Sequence, residues 1–232
     1  MNNPDLRRVR GLAWAGVLGC VFFLVAAGLL QLTRSDLDPW QHTLSFYLHG
    51  PGSLWLCLAY LLLGVAMAAG GRLLCRLAPA PSPAGQAVMA CLAVAGVGLV
   101  CVATGDRLFP PDQLSRPGLF HHFTAYCAFA AVLLALPVQA LRFAAHPGWQ
   151  RWAWTATLGT LLCWSLAWLH VAGVAWLPRG GGQKLLIALL VSLLLAALLG
   201  LLHRLAAKHG NSRDNAGTTS SSDANHHHDR TL

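Results

Sequence analysis

The chain has 232 residues and a formal charge of +8, is 56% hydrophobic, and only 10% of it is charged. Soluble domains of this length carry about 25% charged residues. The composition therefore excludes a soluble domain of any size and points to an integral membrane protein.

Six apolar runs follow one another near 11–32, 54–74, 85–104, 120–141, 152–174 and 184–203. A helix of about 20 apolar residues crosses a hydrocarbon core of about 30 Å. Helices are expected because they satisfy their own backbone hydrogen bonds in lipid. The predicted fold class is an all-α, six-helix transmembrane bundle with short loops, its N- and C-terminal ends on the cytoplasmic side. Residues 1–10 form an N-terminal segment, 11–205 the membrane domain, and 206–232 a polar tail expected to be disordered.

Arg7, Arg8 and Arg10 precede the first run. That run is longer than a signal-peptide core, and "QLTRSD" after it is a poor cleavage site. Gly64 and Gly70 interrupt the second run, and Gly96 and Gly98 the third. Small residues of this kind let helices approach closely. Pro137 is expected to bend the fourth helix near its far end. Trp149, Trp152 and Trp154 mark one interface of the fifth run and Trp176 the other. The seven cysteines form no Cys-x-x-Cys pair and read as small packing residues. The tail tract His226 to His228 is expected to have no specific role.

The charge follows the alternation of the runs. With the N-terminus inside, the inner side holds Arg7, Arg8, Arg10, Arg72, Arg76, Arg142, Arg151, Arg204, Lys208, Arg213 and Arg230. The outer side holds Arg34, Arg107, Arg116, Arg179 and Lys184. Eleven against five obeys the positive-inside rule. The basic balance is thus a topology signal with some attraction to anionic headgroups, and nucleic acid is not an expected partner.

The same topology gathers polar side chains on the outer side. His42, Ser45, His49, Asp106, Asp112, His121, His122 and His170 all fall there. His170 lies about 27 Å along the fifth helix from Trp152. If that helix runs on to Pro178, the imidazole sits about two turns inside, where an ionisable group should face the bundle or a wet cavity. Adjacent helical residues are about 100° apart, so His121 and His122 cannot share one cleft. Below His121 lie Ala125, Ala128 and Val132, a small-residue face. Below His122 lie Tyr126, Phe129 and Leu133, a bulkier one. His121 is therefore expected to point inward and His122 toward the interface.

Two chemistries suit this set. A ligand pocket would use His42, Ser45, Asp112, His121 and His170 to hold a lipid headgroup, a small ligand or a membrane-protein partner, without a cofactor or catalysis. Alternatively, a membrane-embedded hydrolase would use Ser45, Asp106, His121 and His170. Asp106, His121 and His170 would then bind zinc, which needs three protein ligands and an open position. No His-x-x-x-His spacing supports a metal. A Ser45–His42 nucleophile pair would need hydrogen-bond geometry. The absence of a midplane charge and of paired broken helices argues against a transporter. Histidines on helices can also ligate haem iron, so electron transfer through haem is a further reading.

Two stretches carry a family resemblance. "QHTLSFYLHGPGS" resembles the His-x-x-Ser-x-Tyr-x-x-Gly-Pro-x-Gly entry to the second helix of the domain of unknown function 998 family. The matching positions are His42, Ser45, Tyr47, Gly50, Pro51 and Gly52. "RLFPPDQLSRPGLFHHFTAYCAF" is similar to its second signature at Phe109, Pro110, Asp112, Gly118 and His121. "GGGQKLLIALL" resembles its turn into the last helix, with Lys184 in the basic position. The likeness spans about 10–205. The chain departs from the pattern at Phe46, where an acid is common, and at His122, where a small residue is usual. The resemblance implies a six-helix protein of the bacterial inner membrane with no agreed activity. More distantly it looks like the DRAM and fibroblast-growth-factor-receptor-activating type of membrane protein.

Overall fold

A computed structural model describes the backbone of residues 3–108, 116–174 and 176–225, and the side chains of 5–105, 118–174 and 176–207. Six α-helices run in chain order: α1 (Asn3–Thr33), α2 (Ser53–Leu77), α3 (Pro83–Leu108), α4 (Arg116–Ala144), α5 (Gln150–Ala172) and α6 (Arg179–Asn225). Short 3₁₀ turns at Leu44–Leu48 and Pro147–Trp149 sit in the α1–α2 and α4–α5 connections. The membrane-length apolar segments are Asp5–Thr33, Ser53–Leu77, Pro83–Gly105, Gly118–Ala144, Pro147–Ala172 and Arg179–Ala207. Each coincides with one expected run. The chain is a multi-pass, all-helical membrane protein.

Each helix packs on the next, and α6 returns to α1, so the six close a ring. α2 also touches α6 across it. Two faces result. The loop face carries the ends of α1, α3 and α5 and the starts of α2, α4 and α6. The opposite face carries the start of α1, the α2–α3 and α4–α5 connections and the end of the sixth span.

α2 and α3 cross at a pair of glycines. A Cβ on Gly64 would lie 2.7 Å from the Gly96 carbonyl, and one on Gly96 would lie 2.5 Å from the Gly64 carbonyl. α2 and α3 therefore meet backbone to backbone, as the glycine interruptions suggested. α5 is the peripheral helix, with Trp154, Trp164 and Trp168 exposed. It ends sooner than Pro178, because Gly173 takes a left-handed conformation (φ 64°) and its N–H caps the His170 carbonyl. His170 is thus in the last turn and not two turns deep. α4 continues through Pro137. The cysteines are free, with Cys20, Cys57, Cys75 and Cys163 buried in the packing. The helical backbone of α6 runs past Ala207 to Asn225; the side chains expected to form a disordered tail lie outside the described set.

Candidate functional site

The α1–α2 connection is a folded cap. Its 3₁₀ turn buries Leu44, Tyr47 and Leu48. Arg34, itself buried, fastens the cap from the end of α1. Its Nε and Nη2 donate to the two carboxylate oxygens of Asp36 at 2.7 Å, and its Nη1 donates to the His49 carbonyl at 2.6 Å. The guanidinium holds the Asp36 carboxyl below the usual carboxylate range. Burial pushes the Tyr47 phenol above its usual value. The phenol oxygen is buried and has no hydrogen-bond partner among the described residues.

The start of α6 locks onto the cap. The Gly181 N–H donates to the Trp40 carbonyl at 2.9 Å. A Cβ on Gly180 would collide with the His42 carbonyl, so only glycine permits this approach. Lys184 donates to the Pro39 carbonyl at 2.7 Å, with its ammonium 4.7 Å from the centre of the Tyr47 ring. The Leu44 N–H donates to Gln183 Oε1 at 3.0 Å.

Beneath the cap lies an apolar cavity of about 60 Å³. Ser45 of the cap, His121 of α4 and Gln183 of α6 are its polar lining residues. Its walls include Phe23 and Tyr60, packed edge to face with centroids 5.3 Å apart. On the α4 side Ala125, Ala128 and Val132, the face below His121, line it together with Phe129 from the face below His122. His121 is half-buried, whereas His122 is exposed and turns back to the Gly118 carbonyl and the Tyr126 ring. The asymmetry read from the helical spacing is therefore present.

A second apolar cavity lies deeper, toward the opposite face, and includes Gln139, Phe143 and Trp152 in its lining. The two share Met67, Val132 and Leu190. α5 contributes Trp152, Thr155 and Ala156 to the deeper cavity and nothing to the first. The stacked pair follows α4 from His121 to Phe143, 22 residues or about 33 Å of helix.

The structure brings Ser45 and His121 to one cavity and leaves two of their expected companions elsewhere. His42 is exposed, its Nδ1 3.2 Å from the Asp38 carbonyl and its ring edge-on to Phe46. The Ser45 hydroxyl pairs with Thr43 Oγ1 at 3.0 Å and makes no bond to His42. His170 does not line the cavity; its Nδ1 is buried without a hydrogen-bond partner among the described residues. Asp112 and the Asp106 side chain lie outside the described residues, as do Phe109, Pro110 and the histidine tract of the tail. Among the described residues no three His, Cys, Asp or Glu side chains come together as a metal site.

Gln183, within the quoted turn into the last helix, and Arg34, placed on the outer side by its position, are not among the site residues expected from the sequence. A polar residue opening the last apolar run marks the first. An arginine just past the end of α1, two residues before an aspartate, marks the second. From the sequence, Arg142 is one of the inner-side basic residues. It is in fact buried, donating to the Leu74 and Ala80 carbonyls and to Gln139 Oε1 at 3.3, 2.8 and 2.7 Å. The Gln139 amide reaches the Ala78 carbonyl at 3.4 Å. Together they bind the α2–α3 turn to α4.

A ring of six apolar helices with a folded cap defines a multi-pass membrane protein. The profile of the protein of unknown function family DUF998 matches residues 17–202, and the chain belongs to that family. No curated protein and no solved structure matches it. The first family signature now has a physical meaning: Tyr47 is its buried anchor, Ser45 faces the cavity, and Arg34 grips the His49 carbonyl beside Gly50.

Proposed function

We propose that this protein binds a single-tailed amphiphile, with the head at Ser45, His121 and Gln183 and the tail in the apolar cavity beneath. The observation that carries this reading is the convergence of three polar side chains, from the cap, α4 and α6, on an otherwise apolar cavity. Binding pockets commonly combine apolar walls with a few placed polar groups. The Leu44 N–H occupies Gln183 Oε1, which leaves the amide NH2 to serve the cavity. With Thr43 Oγ1 donating to it, the Ser45 hydroxyl is a second donor, and no carboxylate lines the cavity among the described residues. Such a rim suits an acceptor-rich head: a carboxylate, an ester or a phosphate. The deeper cavity, continuous in lining through Met67, Val132 and Leu190, gives the tail room to extend.

In this reading the protein is a non-catalytic lipid-binding protein, needs no cofactor, and sits in a bacterial inner membrane with the loop face outward. The basic bias of the opposite face supports the orientation. Photo-cross-linking with a diazirine-tagged fatty acid, followed by peptide mapping, tests the site. Labels are expected on α2, α4 and α6 around Met67, Val132 and Leu190, and Ala125→Phe should remove them. Labelling confined to the exposed face of α5, unchanged in Ala125→Phe, would overturn the proposal.

A further inference from the structure

A second site lies on the opposite face. Between the start of α1 and the end of α2 is an open cleft of about 560 Å³ lined by Asp5, Arg8, Val9, Leu12, Arg72, Leu73, Arg76 and Leu77. Three arginines and one aspartate leave a formal charge of +2 (three minus one) in one cleft. The described residues contain one ion pair, Arg34–Asp36, so Asp5 does not neutralise the arginines at contact distance. All three arginines are exposed, and none donates a hydrogen bond within the described protein. Arg72 and Arg76 are four residues apart on α2 and share a helix face, where like charges repel. Positive-inside bias accounts for arginines on this face of the membrane. It does not account for three of them, from two helices, around one cleft.

Position along the helix adds a second constraint. Arg72 lies five residues, about 7.5 Å, inside the end of α2. Leu12 is one turn deeper than Arg8, and Leu73 and Leu77 flank the α2 arginines. The cleft therefore combines a cationic rim with an apolar wall reaching into the span. A guanidinium fork matches phosphate oxygens bidentately, and basic pockets between transmembrane helices hold anionic headgroups. A free phosphate would leave Val9, Leu12, Leu73 and Leu77 without a role; a phosphate carried on acyl chains uses them.

We propose that the α1–α2 cleft binds the phosphate of an anionic phospholipid, with Arg8, Arg72 and Arg76 on the headgroup and Leu12, Leu73 and Leu77 against its chains. This site is separate from the amphiphile cavity and does not depend on it.

Native mass spectrometry of the full chain in detergent, titrated with phosphatidylglycerol or phosphatidylcholine, tests the proposal. One phosphatidylglycerol should be retained in preference to phosphatidylcholine. Losing charge-assisted hydrogen bonds worth about 1.5 kcal/mol or more should weaken it about tenfold or more in Arg72→Gln/Arg76→Gln. Arg7→Gln/Arg10→Gln removes the same charge from the same face but outside the cleft, and should change binding less than about twofold. Arg8→Gln, on the other helix, provides an independent variant should the double variant misfold. Equal weakening by the two double variants, or equal retention of phosphatidylcholine, would overturn the proposal. Displacement by inorganic phosphate at lipid-equivalent concentration would assign the cleft to a soluble anion and overturn its lipid source.

Discussion

The Arg34 guanidinium grips Asp36 through two bonds of 2.7 Å and, with a third of 2.6 Å, holds the His49 carbonyl 15 residues ahead. One side chain thus closes the cap over the cavity mouth and gives the cap an acid sensitivity. Asp36 has a folded-state value below its unfolded one. Its contribution is present above the unfolded value and is lost as pH falls through the folded value. Thermal unfolding in detergent across the acid range should show a declining limb. Asp36→Asn should flatten that limb, and Arg34→Met should lower the Tm at neutral pH as well. An unchanged acid limb in Asp36→Asn would remove the pair from the account of the cap.

Tyr47 separates ring from hydroxyl. The residue is 0% exposed and its hydroxyl has no partner among the described residues. Burying an unpaired hydroxyl costs about 1–3 kcal/mol. Tyr47→Phe should therefore leave stability equal or higher, because the ring and its contact with Lys184 stay. Tyr47→Ala should lose about 3–5 kcal/mol, the usual cost of emptying a buried aromatic site. Paired denaturation curves of the two variants check the contrast; a large loss in Tyr47→Phe would mean the hydroxyl is bonded.

The Gly64–Gly96 crossing should tolerate no side chain. Gly96→Val places a Cβ about 2.5 Å from the Gly64 carbonyl and must push α3 off α2. Overpacking of this kind costs about 1–3 kcal/mol. Gly28→Ala on α1 meets nothing within 4 Å. It should be neutral or stabilise by about 0.4–1 kcal/mol through the unfolded chain. Comparing the two Tm shifts tests the packing against a general sensitivity to glycine replacement.

Arg142 should matter for stability and not for topology alone. Arg142→Ala removes three hydrogen bonds and takes the donor from the Ala80 carbonyl, while the Leu74 carbonyl keeps the Ala78 N–H. At about 1 kcal/mol or more per bond, the loss should be about 3 kcal/mol or more. Arg151→Ala, on the exposed start of α5, removes the same charge from the same face and should change stability by less than about 0.5 kcal/mol. Equal Tm values for the two variants would leave Arg142 as a topology charge only.

Hydropathy, helical spacing and charge placement are local properties. They sufficed for the six spans, for the inward His121 and outward His122, and for the close approach at Gly64 and Gly96. The cavity could not be read that way. Its rim joins Ser45, His121 and Gln183, and the bond that orients Gln183 links residues 139 positions apart. Which side chains share a rim depends on how the helices close into a ring, a relation no single segment encodes. Ring closure also leaves α5 outside the first cavity, and with it His170, which was expected among the ligands. The same limit explains why Arg142 stands in the sequence only as an inner-side charge. Its burial becomes tolerable only where the α2–α3 turn brings carbonyls and Gln139 around it. The sequence by itself determined the membrane architecture and the residue types available to a site. The ring closure and the docking of the cap on α6 decided which of them meet, because that choice rests on contacts between helices far apart in the chain.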